Sequence, residues 1–81
     1  MARLLEIRYN GVGFTATFDR EMLASTLRSG WTISAGARIA RATPRGRIVW
    51  LAAEGLQDST TYTVAVPEGA SGADGTPLME D

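Results

Sequence analysis

The sequence predicts a small all-β sandwich, and three observations carry that prediction. Apolar and polar residues alternate with a period of two over residues 5–9, 12–18 and 61–66, as in half-buried strands. Turn-forming residues separate the apolar stretches at intervals of roughly 8–12 residues. Only residues 19–30 have a spacing that suits a helix, and they allow one or two turns. We therefore expect one domain over residues 1–81, in which residues 67–81 form a loop-rich tail of glycine and small residues.

The N-terminal part predicts a β-hairpin. Alternate positions of its first strand form one apolar face, which consists of Leu5, Ile7 and Tyr9. The second strand repeats the pattern with Val12, Phe14, Ala16 and Phe18. Asn10-Gly11 stands between them and suits the positive-φ positions of a type I′ turn.

The middle of the chain predicts a helical turn followed by short strands. Asp19 can cap the turn, and Ser29-Gly30 can end it. Strands are expected at residues 31–34, 37–42, 47–53 and 61–66, with a turn at 43–46 that has Pro44 in its second position. Both faces of strand 47–53 look buried, and the core is expected to hold both Trp31 and Trp50.

Composition argues against an enzyme. The 81 residues include no cysteine and no histidine, so disulfides, thiolate metal sites and the commonest general base are excluded. The acidic residues fall mostly at predicted turns, where carboxylates cap backbone amides. A calcium site in the tail from Asp74, Glu80 and Asp81 would lack the usual ligand spacing. We expect no catalytic residue, cofactor or metal, and a small enzyme or an inhibitor is the least favoured class.

Charge and hydropathy limit the partners. The formal net charge is −1, and all eight basic residues are arginine. This balance makes nucleic acid an unfavoured partner. No apolar stretch is long enough for a signal peptide or a membrane span, so we expect a chain made in the cytoplasm with no membrane contact.

Three motifs together resemble bacterial immunoglobulin-like domains. They are, in the family's order, Phe18-Asp19-Arg20-Glu21-Met22, the stretch 56–66 and Gly75-Thr76-Pro77-Leu78. The resemblance is to the domains of S-layer proteins and bacterial α2-macroglobulins, which are related to fibronectin type III sandwiches. It implies an immunoglobulin-like sandwich with a structural corner at Leu56 and Tyr62. The family continues into a final strand after the third motif, and this chain stops at Asp81, so we expect a shortened last strand and an unpaired sheet edge.

One cluster of charges is a candidate contact site. Arg38, Arg41, Arg45 and Arg47 fall on one predicted hairpin, with no acidic residue between Glu21 and Glu54. The cluster is either a solvated edge that deters aggregation or a patch that contacts a partner. Candidate partners are other protein subunits, in a homo-oligomer or a particle, and an anionic surface or polysaccharide.

The leading hypothesis for function is a structural or binding module without enzymatic activity. We expect an accessory or decoration protein of a phage virion or a similar assembly, because a chain with no export signal resembles domains of extracellular and virion proteins. The alternative is a spacer, or a carbohydrate- or protein-binding domain, from a longer secreted bacterial surface protein or enzyme. That alternative would place it outside the cell or at the cell surface.

Overall fold

The computed structural model describes residues 1–78 and contains two antiparallel sheets. The strands are β1 (Leu4–Tyr9), β2 (Gly13–Phe18), β3 (Thr32–Ile33), β4 (Arg38–Arg45), β5 (Ile48–Glu54) and β6 (Val64–Ala65). The four-stranded sheet has the order β1-β2-β5-β4, and β3 pairs with β6 in the second sheet. The predicted all-β sandwich is confirmed. No helix in the described part of the chain could span a membrane.

The core lies on one side of the four-stranded sheet. Phe18, Leu27, Val49 and Leu51 are fully buried there. Burying a side chain of this size contributes roughly 1.5–3 kcal/mol. Trp31 packs with them, and its indole N–H donates a hydrogen bond of 2.7 Å to the carbonyl oxygen of Leu27. The predicted core position of Trp31 is confirmed.

The opposite face of the four-stranded sheet is open, which contradicts the prediction for strand 47–53. Val49 and Leu51 are each 1% exposed, while Trp50 between them is 46% exposed. Successive side chains of a strand point to opposite faces, so Trp50 points away from the core. The prediction that Trp50 lies in the core is therefore wrong.

Both outer strands of the four-stranded sheet contain a β-bulge. The pairing of β1 with β2 shifts between Leu4 and Glu6, so Leu5 is an extra residue and is 54% exposed. The pairing of β4 with β5 shifts in the same way between Ile39 and Arg41, around Ala40. The inward residues of β1 are therefore Leu4 and Ile7, and the expected position of Leu5 beside Ile7 is wrong.

The first hairpin turns one residue later than predicted. Gly11 and Val12 are its central residues, because the N–H of Asn10 bonds to the carbonyl of Gly13. The Asn10 side chain supports the turn, since its Oδ1 accepts hydrogen bonds from the N–H groups of Val12 and Gly13. Only Gly11 has a positive φ, of 97°, because a β-branched residue such as Val12 avoids that region.

The second hairpin is longer than predicted. Strand β4 runs through Pro44 to Arg45, and Arg45 pairs with Ile48 across a two-residue loop. Gly46 begins that loop at a φ of 63°, so the predicted turn at 43–46 is misplaced. A proline fits within β4 because β4 is an edge strand.

The helical turn is a 3₁₀ segment, Ala24–Thr26, and no side chain caps it. Asp19 instead accepts hydrogen bonds from the Arg3 backbone N–H and from the Arg20 guanidinium. The strand expected at 61–66 is limited to Val64–Ala65, because its partner β3 has only two residues.

The described part of the tail packs on its own chain. Leu78 pairs with Ala2, Gly72 pairs with Met22, and the N–H of Ala2 donates to the carbonyl of Pro77 at 3.0 Å. The tail therefore contacts the first residues of the chain and the segment that follows β2.

Candidate functional site

Three of the four predicted patch arginines lie on the open face of the four-stranded sheet. The register pairs Arg38 with Glu54, Arg41 with Ala52 and Arg45 with Ile48. Directly paired residues share a face, so these arginines lie on the same side as Trp50. We call this surface the arginine–tryptophan face and define it by Arg38, Arg41, Arg45 and Trp50.

Some of the charge on this side of the sheet is already compensated. Arg38 donates hydrogen bonds of 2.7 and 2.8 Å to the two carboxylate oxygens of Glu54, and Arg8 pairs with Glu6 at 2.7 Å. The side chains of both pairs are half-exposed or more, so each pair adds little to stability.

Arg41 and Arg45 carry the uncompensated charge. No carboxylate in residues 1–78 forms an ion pair with either of them. The Arg45 guanidinium lies 5.7 Å from the centre of the Trp50 ring, a cation–π contact. Within residues 1–78, two guanidinium groups without a carboxylate partner thus lie on the same face as an exposed tryptophan.

Arg47 has a different role from the other three. It lies in the loop between β4 and β5, and its Nε donates a hydrogen bond of 3.2 Å to the carbonyl oxygen of Phe18. The backbone N–H of Phe18 also donates to the Arg47 carbonyl at 2.8 Å. Arg47 therefore connects this loop to the end of β2 through two hydrogen bonds with Phe18. It does not belong to the arginine–tryptophan face.

Sequence reasoning missed Arg28. Together with Arg41 it lines a shallow cleft of about 200 Å³ beside the β4 bulge. Arg28 forms no ion pair within the part of the chain that is described. Thirteen positions and a sheet connection separate the two arginines, so no local pattern links them.

A second concave site lies beside the first hairpin. We call it the aromatic cleft: it measures about 330 Å³ and lies between Tyr9, Phe14, Tyr62 and the loop at residues 56–60. The ring of Phe14 packs edge-to-face against Tyr9 at 6.0 Å and against Tyr62 at 6.4 Å. Tyr9 is 61% exposed, so one wall of the cleft is open to solvent.

The predicted corner residues, Leu56 and Tyr62, both line this cleft. The Tyr62 hydroxyl accepts a hydrogen bond of 2.6 Å from the backbone N–H of Gln57. That bond joins the segment before β6 to the loop that follows β5. The role of Leu56 and Tyr62 as a structural corner stays a prediction.

The acidic residues near the tail are engaged by the chain itself. Arg20 donates hydrogen bonds to Asp19, to Asp74 and to the carbonyl oxygen of Met1. The Arg20 hydrogen bond lowers the pKa of Asp19 to about 2, and hydrogen bonds from Thr76 lower the pKa of Asp74.

No group of three potential ligand side chains that could hold a metal occurs within residues 1–78. Of the residues weighed for a calcium site, Glu80 and Asp81 lie outside the described residues.

Searches for similar proteins found no matching family model, no matching curated protein and no matching solved structure. The resemblance to bacterial immunoglobulin-like domains therefore rests on the three sequence motifs and stays a prediction.

Proposed function

We propose that this chain is a non-enzymatic binding module that docks onto an acidic patch of another protein through the arginine–tryptophan face. The observation that carries the proposal is Trp50, which is 46% exposed beside Arg45 and Arg41. Tryptophan and arginine are enriched among the residues that dominate binding energy at protein interfaces. A negative partner surface would complement the guanidinium groups of Arg41 and Arg45.

The setting we propose is a larger assembly, in which the chain is an accessory or decoration subunit of a phage virion or a similar particle. The support for this setting is the resemblance to domains of extracellular and virion proteins. Other subunits of the particle, or further copies of this chain, would supply the acidic patch.

A second candidate is a spacer or binding domain within a secreted bacterial surface protein or enzyme. The aromatic cleft favours this candidate, because a preformed cleft lined by aromatic and polar side chains suits a small ligand.

Binding to the proteins encoded beside this chain would test the docking proposal. Each purified neighbour is titrated with the wild-type chain and with two charge reversals, Arg41→Glu and Arg8→Glu, by calorimetry at two salt concentrations. We expect one neighbour to bind, more weakly at high salt, and Arg41→Glu to lower its affinity at least about 10-fold. Arg8→Glu changes the net charge equally on the far strand of the same sheet and should have a much smaller effect.

Removing the aromatic group adds a second readout. Trp50→Ala should weaken the same interaction at least as much as Arg41→Glu does. Failure of every neighbour to bind, equal effects of Arg41→Glu and Arg8→Glu, or tighter binding to duplex DNA than to any protein would overturn the proposal.

A further inference from the structure

We propose that the aromatic cleft binds one or two pyranose rings of a neutral polysaccharide. The inference deepens the second candidate function and rests on it, and it does not depend on docking through the arginine–tryptophan face. The two sites lie on opposite faces of the four-stranded sheet. Tyr9 pairs with Phe14, and Phe14 pairs with Leu51, so these residues lie on the inward face, while Trp50 faces outward.

The apolar wall of the cleft is held in place before any ligand arrives. Phe14 meets Tyr9 at 68° and Tyr62 at 63°, so the three rings support each other. The Tyr9 hydroxyl donates to the carbonyl of Gly11 at 3.2 Å, and the Tyr62 hydroxyl accepts from the N–H of Gln57. Both tyrosines are therefore fixed at both ends of the side chain, which reduces the entropy lost on binding.

The polar rim of the cleft has unused hydrogen-bonding capacity. Residues 1–78 provide no hydrogen-bond partner for the side chains of Gln57, Asp58 and Ser59, all of which line the cleft. Ser59 has a φ of 54°, a backbone conformation that serine rarely adopts. An amide, a carboxylate and a hydroxyl thus stand next to an aromatic wall.

This combination matches the chemistry of a sugar ring. A pyranose presents an apolar C–H surface that packs on aromatic rings, and equatorial hydroxyls that donate to carboxylate and amide oxygens. Asp58 is the only formally charged side chain among the described residues that line the cleft, so an anionic ligand is disfavoured. A volume of about 330 Å³ lies at the lower end of the range for small-molecule sites, which suits one or two rings.

Nuclear magnetic resonance titration would test the inference directly. The nitrogen-15-labelled chain is titrated with the hexasaccharides of β-1,4-glucose, β-1,3-glucose and β-1,4-N-acetylglucosamine. We expect at least one of them to bind at submillimolar to millimolar concentration, with shifts confined to residues 9–14 and 56–62. Tyr9→Ala should weaken that binding about 10-fold, and Tyr9→Phe, which keeps the ring, much less.

Matched variants distinguish the aromatic cleft from the arginine–tryptophan face. Asp58→Ala should weaken sugar binding, and Trp50→Ala, which removes an aromatic ring from the opposite face, should leave it unchanged. Since Tyr9 and Asp58 are exposed, neither substitution should unfold the chain. Absence of sugar binding by the wild-type chain, together with normal docking to a protein neighbour, would overturn the sugar proposal and leave the first proposed function intact.

Three results would overturn the sugar proposal. The first is the absence of shifts in the cleft with all three hexasaccharides at millimolar concentration. The second is sugar binding that Tyr9→Ala does not weaken. The third is tighter binding of choline or of a proline-rich peptide than of any sugar, because aromatic sites of this kind also suit quaternary ammonium groups and polyproline helices.

Discussion

The Arg45 guanidinium lies 5.7 Å from the centre of the Trp50 ring, on the side of the four-stranded sheet that faces away from the core. In water such a contact stabilises by roughly 0.5–1 kcal/mol, and it strengthens to about 2 kcal/mol when a partner excludes water. The pair is therefore a weak contributor to folding, and its contribution would grow under the proposed docking.

The two tryptophans should differ sharply in their effect on stability. Trp31 is 8% exposed and bonded to Leu27, so Trp31→Ala should lower the free energy of unfolding by about 3–5 kcal/mol. Trp50→Ala should cost about 1 kcal/mol or less, because Trp50 is 46% exposed. Urea unfolding followed by circular dichroism measures both values.

Trp31→Ala could prevent folding altogether, so Trp31→Phe provides a second test of the same site. It keeps a ring and removes the N–H donor, leaving the Leu27 carbonyl without that bond, and should cost about 1–3 kcal/mol. Equal losses for substitutions at positions 31 and 50 would contradict the assignment of Trp50 to the outward face.

Acid stability should depend on Asp19. The Arg20 hydrogen bond and the Arg3 backbone N–H hold the pKa of Asp19 at about 2, below its usual 3.8. A lowered pKa in the folded state stabilises the protein fully above the unfolded value, and this contribution is lost as pH falls from about 4 through 2. Asp19→Asn should therefore flatten the decline in stability over that interval.

The measurement is urea unfolding at a series of pH values for the wild type and for Asp19→Asn. Asp74→Asn is a second variant for the same measurement. Hydrogen bonds from Thr76 lower the pKa of Asp74, so Asp74 should also contribute stability that is lost as the pH falls. If Asp19→Asn follows the wild-type curve in parallel between pH 4 and 2, the Asp19–Arg20 contact has no effect on folding.

Gly13 should tolerate no side chain. A Cβ built there lies 1.9 Å from the backbone oxygen of Leu51, and a backbone atom in a central strand cannot move aside. We expect Gly13→Ala to cost at least about 2 kcal/mol. Gly11→Ala is the control: it meets open space and should lose only about 1 kcal/mol from its positive φ. Thermal unfolding measures both losses of stability. A larger loss for Gly11→Ala than for Gly13→Ala would show that the β2–β5 pairing is looser at Gly13.

The Tyr62 hydroxyl should protect one amide. Tyr62→Phe removes the acceptor of the 2.6 Å bond from the Gln57 N–H and should lower stability by about 1 kcal/mol. Amide hydrogen exchange should accelerate at Gln57 and stay unchanged at Trp50, which lies in the central strand β5. An unchanged exchange rate at Gln57 would mean that the bond does not persist in solution.

Local patterns in the sequence located the long strands and the inner face of β2. The alternation through Phe14, Ala16 and Phe18 identified β2, and Ala16 and Phe18 are fully buried. The apolar run around Trp50 was ambiguous, because periodicity cannot show whether a second layer covers the other face of a sheet. Here the core lies on one face of the sheet, and Trp50 on the other face is 46% exposed.

The candidate sites depended on contacts between distant positions. The four patch arginines were recognised from their clustering, but only the register shows that Arg38, Arg41 and Arg45 share a face and that Arg47 does not. Tyr9 and Tyr62 meet across Phe14 although more than fifty positions separate them, and no spacing rule links them. A one-residue bulge, as at Ala40, also reverses the faces of all later residues relative to a plain count.

The bulges at Leu5 and Ala40, with Pro44 in β4, should limit aggregation when many copies of the chain are packed together. A regular outer strand offers a neighbour a row of backbone groups, which is how ordered aggregates grow. Both outer strands of this sheet are irregular, so neither offers a continuous row of backbone groups for a neighbouring strand to pair with. Dense arrays of this chain should therefore stay as separate folded units, without fusing into fibres.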